Sequence, residues 1–208
     1  MDVDIENFIQ TSQEIIKIGK NIHSRIWATS TSGNYSSRLN ADHIAITASG
    51  TRKGELSQED ILIVDMQGET LGTKKPSSDT IDHLENYRAD KNIGAVLHFH
   101  SVNATLVSEI EEHSIVFENY EVLKALEGIS FYDERISLPI FENSRNHQEL
   151  MNQVNQYRSQ QGIPYAYLVR RHGVYVFGRN LAKAFHHAEA LEFLFMCHLK
   201  KRQCSHQE

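Results

Sequence analysis

Cysteine is scarce, with two thiols in 208 residues. Cys197 and Cys204 share one apolar-periodic stretch, and a helix would separate them by about 10 Å of rise, too far for a disulfide. Free thiols are expected, as in a reducing cytoplasm. Long apolar runs are missing as well, which excludes a hydrophobic membrane-spanning helix. The opening Met1-Asp2-Val3-Asp4-Ile5-Glu6 is acidic where a signal peptide would be basic and then apolar. Positive charge is in deficit: 21 Lys and Arg face 27 Asp and Glu, a formal net charge of -6. No basic stripe overrules that balance, so nucleic acid is not an expected partner. The cluster Lys200-Lys201-Arg202 suits a helix C-terminus, where cations complement the dipole. Repeats, linkers and low-complexity segments are absent too. One cytoplasmic domain over residues 1–208 is expected, with a core of ordinary size.

Histidine, by contrast, is plentiful, with 12 residues. The run Ala95-Val96-Leu97-His98-Phe99-His100-Ser101 is apolar and ends in two histidines one residue apart. As a strand it places His98 and His100 on one face and Phe99 on the other. Two imidazoles side by side at a strand end form half of a metal site suited to zinc and similar ions. They are also compatible with two hydrogen-bonded, partly buried histidines.

Apolar positions Ile5, Phe8, Ile9, Ile15, Ile16, Ile22 and Ile26 predict an amphipathic helix over residues 4–28. Thr29 to Ser36 reads as a polar turn, and Ala48-Ser49-Gly50-Thr51 as a second hydroxyl-rich turn. Strands are expected at 43–47 and 61–65, the latter followed by a hairpin turn at 66–69. Lys74 to Thr80 leads into a helix over about 79–90, with serines placed to cap it or to receive an anion. Helices follow at 101–110 and 118–126, a strand at 136–140, and a largely exposed helix at 146–158. Strands at 165–170 and 174–178 flank Arg171-His172-Gly173. The last helix, about 181–202, should bury Leu181, Ala184, Phe185, Ala188, Leu191, Phe195 and Leu199. The order α-β-β-α-β-α-α-β-α-β-β-α predicts an α/β fold: a single domain with a central, mostly antiparallel sheet flanked by helices.

The flanks of the histidine pair prune the metal families. Ala104 and Thr105 stand where a cupin would carry a glutamate, and Val102-Asn103-Ala104 replaces the Asp-His of metallo-hydrolases. A third ligand must come from elsewhere, and His113, His147, His172, His186 and His187 are the candidates. His172 has the most rigid setting, a tight turn between two strands.

Taken together, Thr31-Ser32-Gly33-Asn34-Tyr35-Ser36, Thr47-Ala48-Ser49-Gly50, Lys75-Pro76-Ser77-Ser78, His98-Phe99-His100-Ser101 and His172-Gly173-Val174 resemble the class II aldolase superfamily in motif order and spacing. Three further stretches are most similar to a dehydratase branch of it: Ser49 to Leu56, Asn119 to Leu126, and Leu168 to Gly178. The resemblance implies one zinc ion per subunit on His98, His100 and His172, with open positions for substrate. It implies Glu121 as catalytic acid/base, and a phosphate site among Asn34, Ser49, Gly50, Ser77 and Ser78. The aldolases carry a glutamate after the paired serines; Asp79 stands there in this chain, one methylene shorter, which tells against aldol chemistry and is compatible with a dehydratase, although a shifted helix could still bring Asp79 into reach. The implied activity is that of a zinc-dependent hydro-lyase. It would convert 5-methylthioribulose 1-phosphate into 2,3-diketo-5-methylthiopentyl 1-phosphate within methionine salvage. A homo-oligomer, by family habit a tetramer with sites near subunit boundaries, is implied as well. Two other readings stand beside it: a sugar-phosphate aldolase or epimerase on the same fold, and a non-catalytic metal-binding interaction module with a closed four-ligand site. Phe117, Tyr120 and Phe131 could line a methylthio pocket or simply fill the core.

Overall fold

The structure is a computed structural model, and it describes residues 3–205. Met1 and Asp2, the start of the acidic N-terminus, lie outside the described residues. Five helices are present among them: α1 (Ile5–Ser24), α2 (Thr80–Ala89), α3 (Val102–Ile110), α4 (His147–Gln161) and α5 (Leu181–Ser205). The strands are β1 (Asn34–Arg38), β2 (His43–Thr47), β3 (Ile61–Asp65), β4 (Thr70–Leu71), β5 (Ala95–Phe99), β6 (Ser114–Phe117), β7 (Ile136–Phe141), β8 (Ala166–Val169) and β9 (Gly173–Gly178). They form one sheet in the order β4-β3-β2-β1-β5-β9-β8-β7-β6. The β7–β8 pair is parallel and the other pairings are antiparallel. No helix of the described residues is long and apolar enough to cross a membrane.

Alternation along β5 divides the core. Ala95, Leu97 and Phe99 join the layer beneath α1, α3 and α5, while Val96 faces α2 and α4 with Tyr167 and Tyr175. Phe99 is fully buried and stacks on Trp27 with ring centroids 5.5 Å apart. Burial of such a side chain contributes roughly 1.5–3 kcal/mol. With Phe99 anchored in one layer, period-two geometry turns His98 into the other.

Several expectations are corrected. The first helix stops at Ser24, because Ile26 takes a left-handed conformation at φ 61°. Ile15 and Ile22 are buried as expected, together with Ile18, but Ile5, Ile9 and Ile26 are exposed. The turn expected over residues 29–36 ends at Gly33, and Asn34 opens β1 between β2 and β5. Its buried Ser36 is satisfied by contacts of Oγ with His83 Nδ1 at 2.6 Å and the Tyr87 hydroxyl at 2.8 Å, so a polar stretch serves as a central strand. The helix expected over 118–126 is only a 3-10 turn, Glu121–Ala125, entered through Asn119 at φ 63°. β4 and β6 were not expected. Both are short and lie at the two sheet edges. Cys197 and Cys204 are both free thiols on α5.

Candidate metal centre

β5 delivers two histidines because it ends abruptly. Ser101 caps α3, its Oγ accepting from Ala104 N at 3.0 Å, so the chain turns into a helix directly after His100. His98 is fully buried and stacks on Tyr175, with centroids 4.0 Å apart and planes 14° from parallel. Its Nδ1 donates to the Val174 carbonyl at 3.0 Å, which leaves the Nε2 lone pair free. That Nε2 lies 2.9 Å from Nε2 of His100.

The third imidazole arrives on the β8–β9 turn. Arg171 adopts φ 55°, and His172 N donates to Val169 O at 3.0 Å, which closes the turn tightly. Arg170 secures its base, Nη1 donating to Ser108 O at 2.7 Å and to Glu111 O at 3.0 Å. Gly173 is required next: a Cβ there would lie 2.3 Å from Phe99 O and 3.0 Å from the His100 ring. Only a bare Cα lets β9 approach β5 so closely, and the His172 ring then sits 5.0 Å from His98 and 4.5 Å from His100, centroid to centroid.

The donor set fits a metal ion. One ligand atom from each of His98, His100 and His172 lies within 4.8 Å of the others. His172 Nδ1 is buried without a hydrogen-bond partner. Burial drives all three imidazoles toward the neutral, coordinating form: His98 well below its ordinary value, His100 down to about 4, and His172 below normal. Crowding among the three rings adds to the effect.

Asp79 completes the surroundings. Its Oδ2 is 3.8 Å from His98 Nε2 and accepts from Asn34 Nδ2 at 2.7 Å. Asn34 is itself oriented by His83, whose Nε2 donates to Asn34 Oδ1 at 2.5 Å. Asn34 also donates to Ser77 Oγ at 2.9 Å. The amide is thus engaged in aligning the start of α2.

Asn34, Ser49, Gly50, Ser77 and Ser78 line one cavity of about 340 Å³ together with His100, His172 and Asp79. Lys53 lines it too. A wider hollow of about 550 Å³ lies between α1 and α5, next to His186. It contains no member of either cluster of potential metal ligands found among the described residues, His98, His100 and His172 or Asp79, Asp82 and His147. The other histidine candidates are placed elsewhere. His113 is on the surface, its side chain 86% exposed. His187 donates from Nδ1 to Phe177 O and accepts from Glu127 N. His147 bonds from Nδ1 to both oxygens of Asp82, at 3.1 and 3.0 Å.

Glu121 is not brought to the three histidines. It does not line their cavity. Its side chain is 73% exposed and pairs with Lys124 at 2.5 Å. β6 runs from Ser114, opposite Pro139, to Phe117, opposite Ile136. It therefore leads away from the histidine end of the sheet. The segment that follows docks at the far end of β9, where Tyr165 Oη donates to Glu127 O and Arg179 pairs with Glu127 at 2.6 Å. Phe117 belongs to the core and Phe131 is 67% exposed.

Sequence reasoning missed Lys53 and Asp82, the partner of His147. Asp82 is 1% exposed and takes a hydrogen bond from Tyr175 Oη at 3.1 Å; burial raises its carboxyl to about 6. Nothing periodic marks either position, since each is a charged side chain buried against other polar groups.

Comparison with known proteins bears on this arrangement. The model of the class II aldolase and adducin N-terminal domain matches residues 13–199. The chain is 41% identical over 93% of its length to methylthioribulose-1-phosphate dehydratase of Pseudomonas syringae pv. tomato, covering 96% of that protein. To the protein of the same name from Methylococcus capsulatus it is 41% identical, over 90% of this chain and 92% of that one. Among solved structures it resembles YgbL from Klebsiella pneumoniae at a TM-score of 0.78, with 25% identity over 91% of this chain and 88% of that chain. An L-fuculose 1-phosphate aldolase gives a TM-score of 0.77 at 24% identity, over 93% and 87% of the two chains, a likeness of fold.

Proposed function

The chain belongs to the class II aldolase and adducin family, and from that premise we propose that it is a zinc-dependent hydro-lyase of methionine salvage. It converts 5-methylthioribulose 1-phosphate into 2,3-diketo-5-methylthiopentyl 1-phosphate and water, acting in the cytoplasm as one domain over residues 1–208. The observation that carries the reading is the shared cavity: His100 and His172, whose ligand atoms cluster with that of His98, line one space with Asn34, Ser49, Gly50, Ser77 and Ser78. Relatives 41% identical over nearly the whole chain bear the dehydratase name, which selects this reaction among those of the family.

His98, His100 and His172 would hold the zinc, leaving positions open to substrate. Zinc held by these residues would supply Lewis acidity that stabilises enediolate-like charge on the ketose. Ser49, Gly50, Ser77 and Ser78 receive the phosphate at the N-terminal end of α2, with Asn34 setting the position of Ser77. The reaction breaks the C3–H bond and then the C4–O bond, and the resulting enol becomes the 2,3-diketone. Glu121 takes the C3 proton as a carboxylate and, as the acid, returns a proton to the leaving hydroxyl. Because Glu121 stands outside the cavity of its own chain, it acts on the histidine site of a neighbouring copy. This reading calls for a homo-oligomer, and a ring-like tetramer meets that requirement.

The direct test follows the absorbance of the diketone when zinc-loaded protein meets 5-methylthioribulose 1-phosphate, beside a His172→Ala control. A rise that vanishes in the control is the expected result. No rise from protein that holds zinc overturns the proposal, and cleavage of other ketose 1-phosphates would then be assayed for the aldolase reading.

A further inference from the structure

Lysine is among the residues least often fully buried, yet Lys53 is only 2% exposed. The residue lines the cavity, and its ammonium donates from Nζ to Thr31 O at 3.0 Å and to Thr51 O at 2.7 Å. Both partners are neutral carbonyls. The nearest carboxylates are engaged with other groups: Asp60 pairs with Lys74 at 2.9 Å, and Asp79 accepts from Asn34 at 2.7 Å. Among the described residues no carboxylate forms an ion pair with Lys53. A buried charge normally needs a charged partner, because dipoles alone compensate poorly for lost hydration.

The surroundings indicate what that partner is. Lys53 shares the cavity with Ser49, Gly50, Ser77 and Ser78. Gly50 has φ 72° and open space where a Cβ would stand, so its backbone faces the cavity without a side chain in the way. Hydroxyls and exposed amides around an ammonium make an anion site. Burial lowers the Lys53 ammonium to about 8, while Asp60 and Asp79 hold it up, so it remains charged at neutral pH. Asp79, the negative group of the cavity, stands instead beside His98. The cavity is therefore polarised, with its metal-binding end next to an end that is cationic.

We propose that Lys53 is the buried counter-charge for the substrate's phosphate, a specificity-determining residue that selects a phosphomonoester over its unphosphorylated analogue. The proposal rests on the phosphorylated-ketose reading and adds to it the group that reads the charge. A ketose 1-phosphate suits the polarity, because one carbon separates its phosphate ester from the carbonyl that turns to the metal end. Lys53 also ties its own loop, through Thr51 O, to the loop of Thr31.

Two measurements test this. In zinc-loaded Lys53→Met, the KM for 5-methylthioribulose 1-phosphate should rise at least tenfold while kcat falls less than threefold. The Kd of unphosphorylated 5-methylthioribulose should stay within twofold of that of the unmodified protein. Equal weakening of both ligands would reduce Lys53 to a spacer between loops and overturn the proposal, as would an unchanged KM. The second measurement needs no variant and survives a folding failure of Lys53→Met. Inorganic phosphate is titrated into zinc-loaded protein carrying uniformly 13C,15N-labelled lysine, and the Lys53 side-chain resonance, assigned through its backbone amide, should shift to saturation. Absence of a shift overturns the proposal. A shift in protein that does not dehydrate the ketose leaves the anion site standing and removes only the reaction assigned above.

Discussion

His98 donates from Nδ1 to the carbonyl of Val174, 3.0 Å away, and thereby directs its Nε2 lone pair at the space shared with His100 and His172. The bond fixes the tautomer before any metal arrives, the usual service of a ligand's outer partner. Each of His98→Ala, His100→Ala and His172→Ala should therefore cut zinc affinity by more than ~100-fold, since loss of an outer partner alone costs about 10–100-fold. Metal content after dialysis against a graded chelator measures it. Removal of zinc should abolish turnover and its return should restore it. Full zinc occupancy in any of the three variants would remove that histidine from the ligand set.

Gly173 should tolerate no side chain. In Gly173→Ala the new methyl would lie 2.3 Å from Phe99 O, a backbone atom with no rotamer to escape into. The strands must part, and overpacking of this kind costs roughly 1–3 kcal/mol or more. Urea unfolding should register a loss of about 3 kcal/mol, and zinc affinity should fall with it because β9 carries His172 past β5. A variant that kept both stability and zinc would show that the approach of the strands is not what seats the third histidine.

The sequence made the histidine pair legible for a simple reason. β5 obeys period two, with Leu97 and Phe99 in one apolar layer and His98 turned to the other. α5 was legible likewise, since Leu181, Ala184, Ala188, Leu191 and Phe195 recur at helical spacing and all are buried. β1 was not, because its buried positions include Asn34, Ser36 and Ser37, residue types that mark turns when seen locally. Their cost inside the sheet is met by partners 43 to 57 residues away in sequence, among them Ser77, His83, Tyr87 and Gly94. Lys53 and Asp82 escaped notice on the same physical ground: a charge is assigned to the surface until its distant partners are known. Glu121 was found through a family motif, but a motif carries no information on whose cavity the carboxylate enters.

Glu192 gives the fold a pH dependence of known sign. It is 3% exposed on α5, accepts from Ser101 Oγ and from Asn103 Nδ2, and burial raises its carboxyl from 4.5 to about 7. The folded state therefore holds this proton more tightly than the unfolded chain does. The resulting stabilisation is complete below pH 4.5 and is lost as the pH rises through about 7. At roughly 1.36 kcal/mol per pKa unit, the displacement is worth on the order of 3 kcal/mol. Glu192→Gln should match the unmodified protein at pH 4.5 and exceed it by on the order of 2–3 kcal/mol at pH 8, read from urea unfolding at both values. Parallel stability curves for the two proteins would dismiss Glu192 as the source.

The position of Glu121 yields the sharpest test of assembly. Its segment docks at the Arg179 end of the sheet, whereas His172 opens β9 at the other. Along β9 those ends are about 17 Å apart at 3.3 Å per residue, and Glu121 lies in sequence between Phe117 and Glu127, both placed at the Arg179 end. Glu121→Gln and His172→Ala should each be inactive as purified proteins, for different reasons. Mixed under conditions that exchange subunits, they should regain activity. A site that takes its histidines from a Glu121→Gln chain and its glutamate from a His172→Ala chain is intact. Random exchange at equal amounts makes about a quarter of the sites intact, so about a quarter of the activity should return. Both variants must retain the fold, which circular dichroism checks, and Glu121→Gln must still hold zinc. No recovery despite demonstrated exchange would mean that glutamate and histidines serve within one chain, and the loop from β6 to β7 would have to swing to deliver it. Recovery near a quarter is the outcome that the proposal of Glu121 acting on a neighbouring copy predicts.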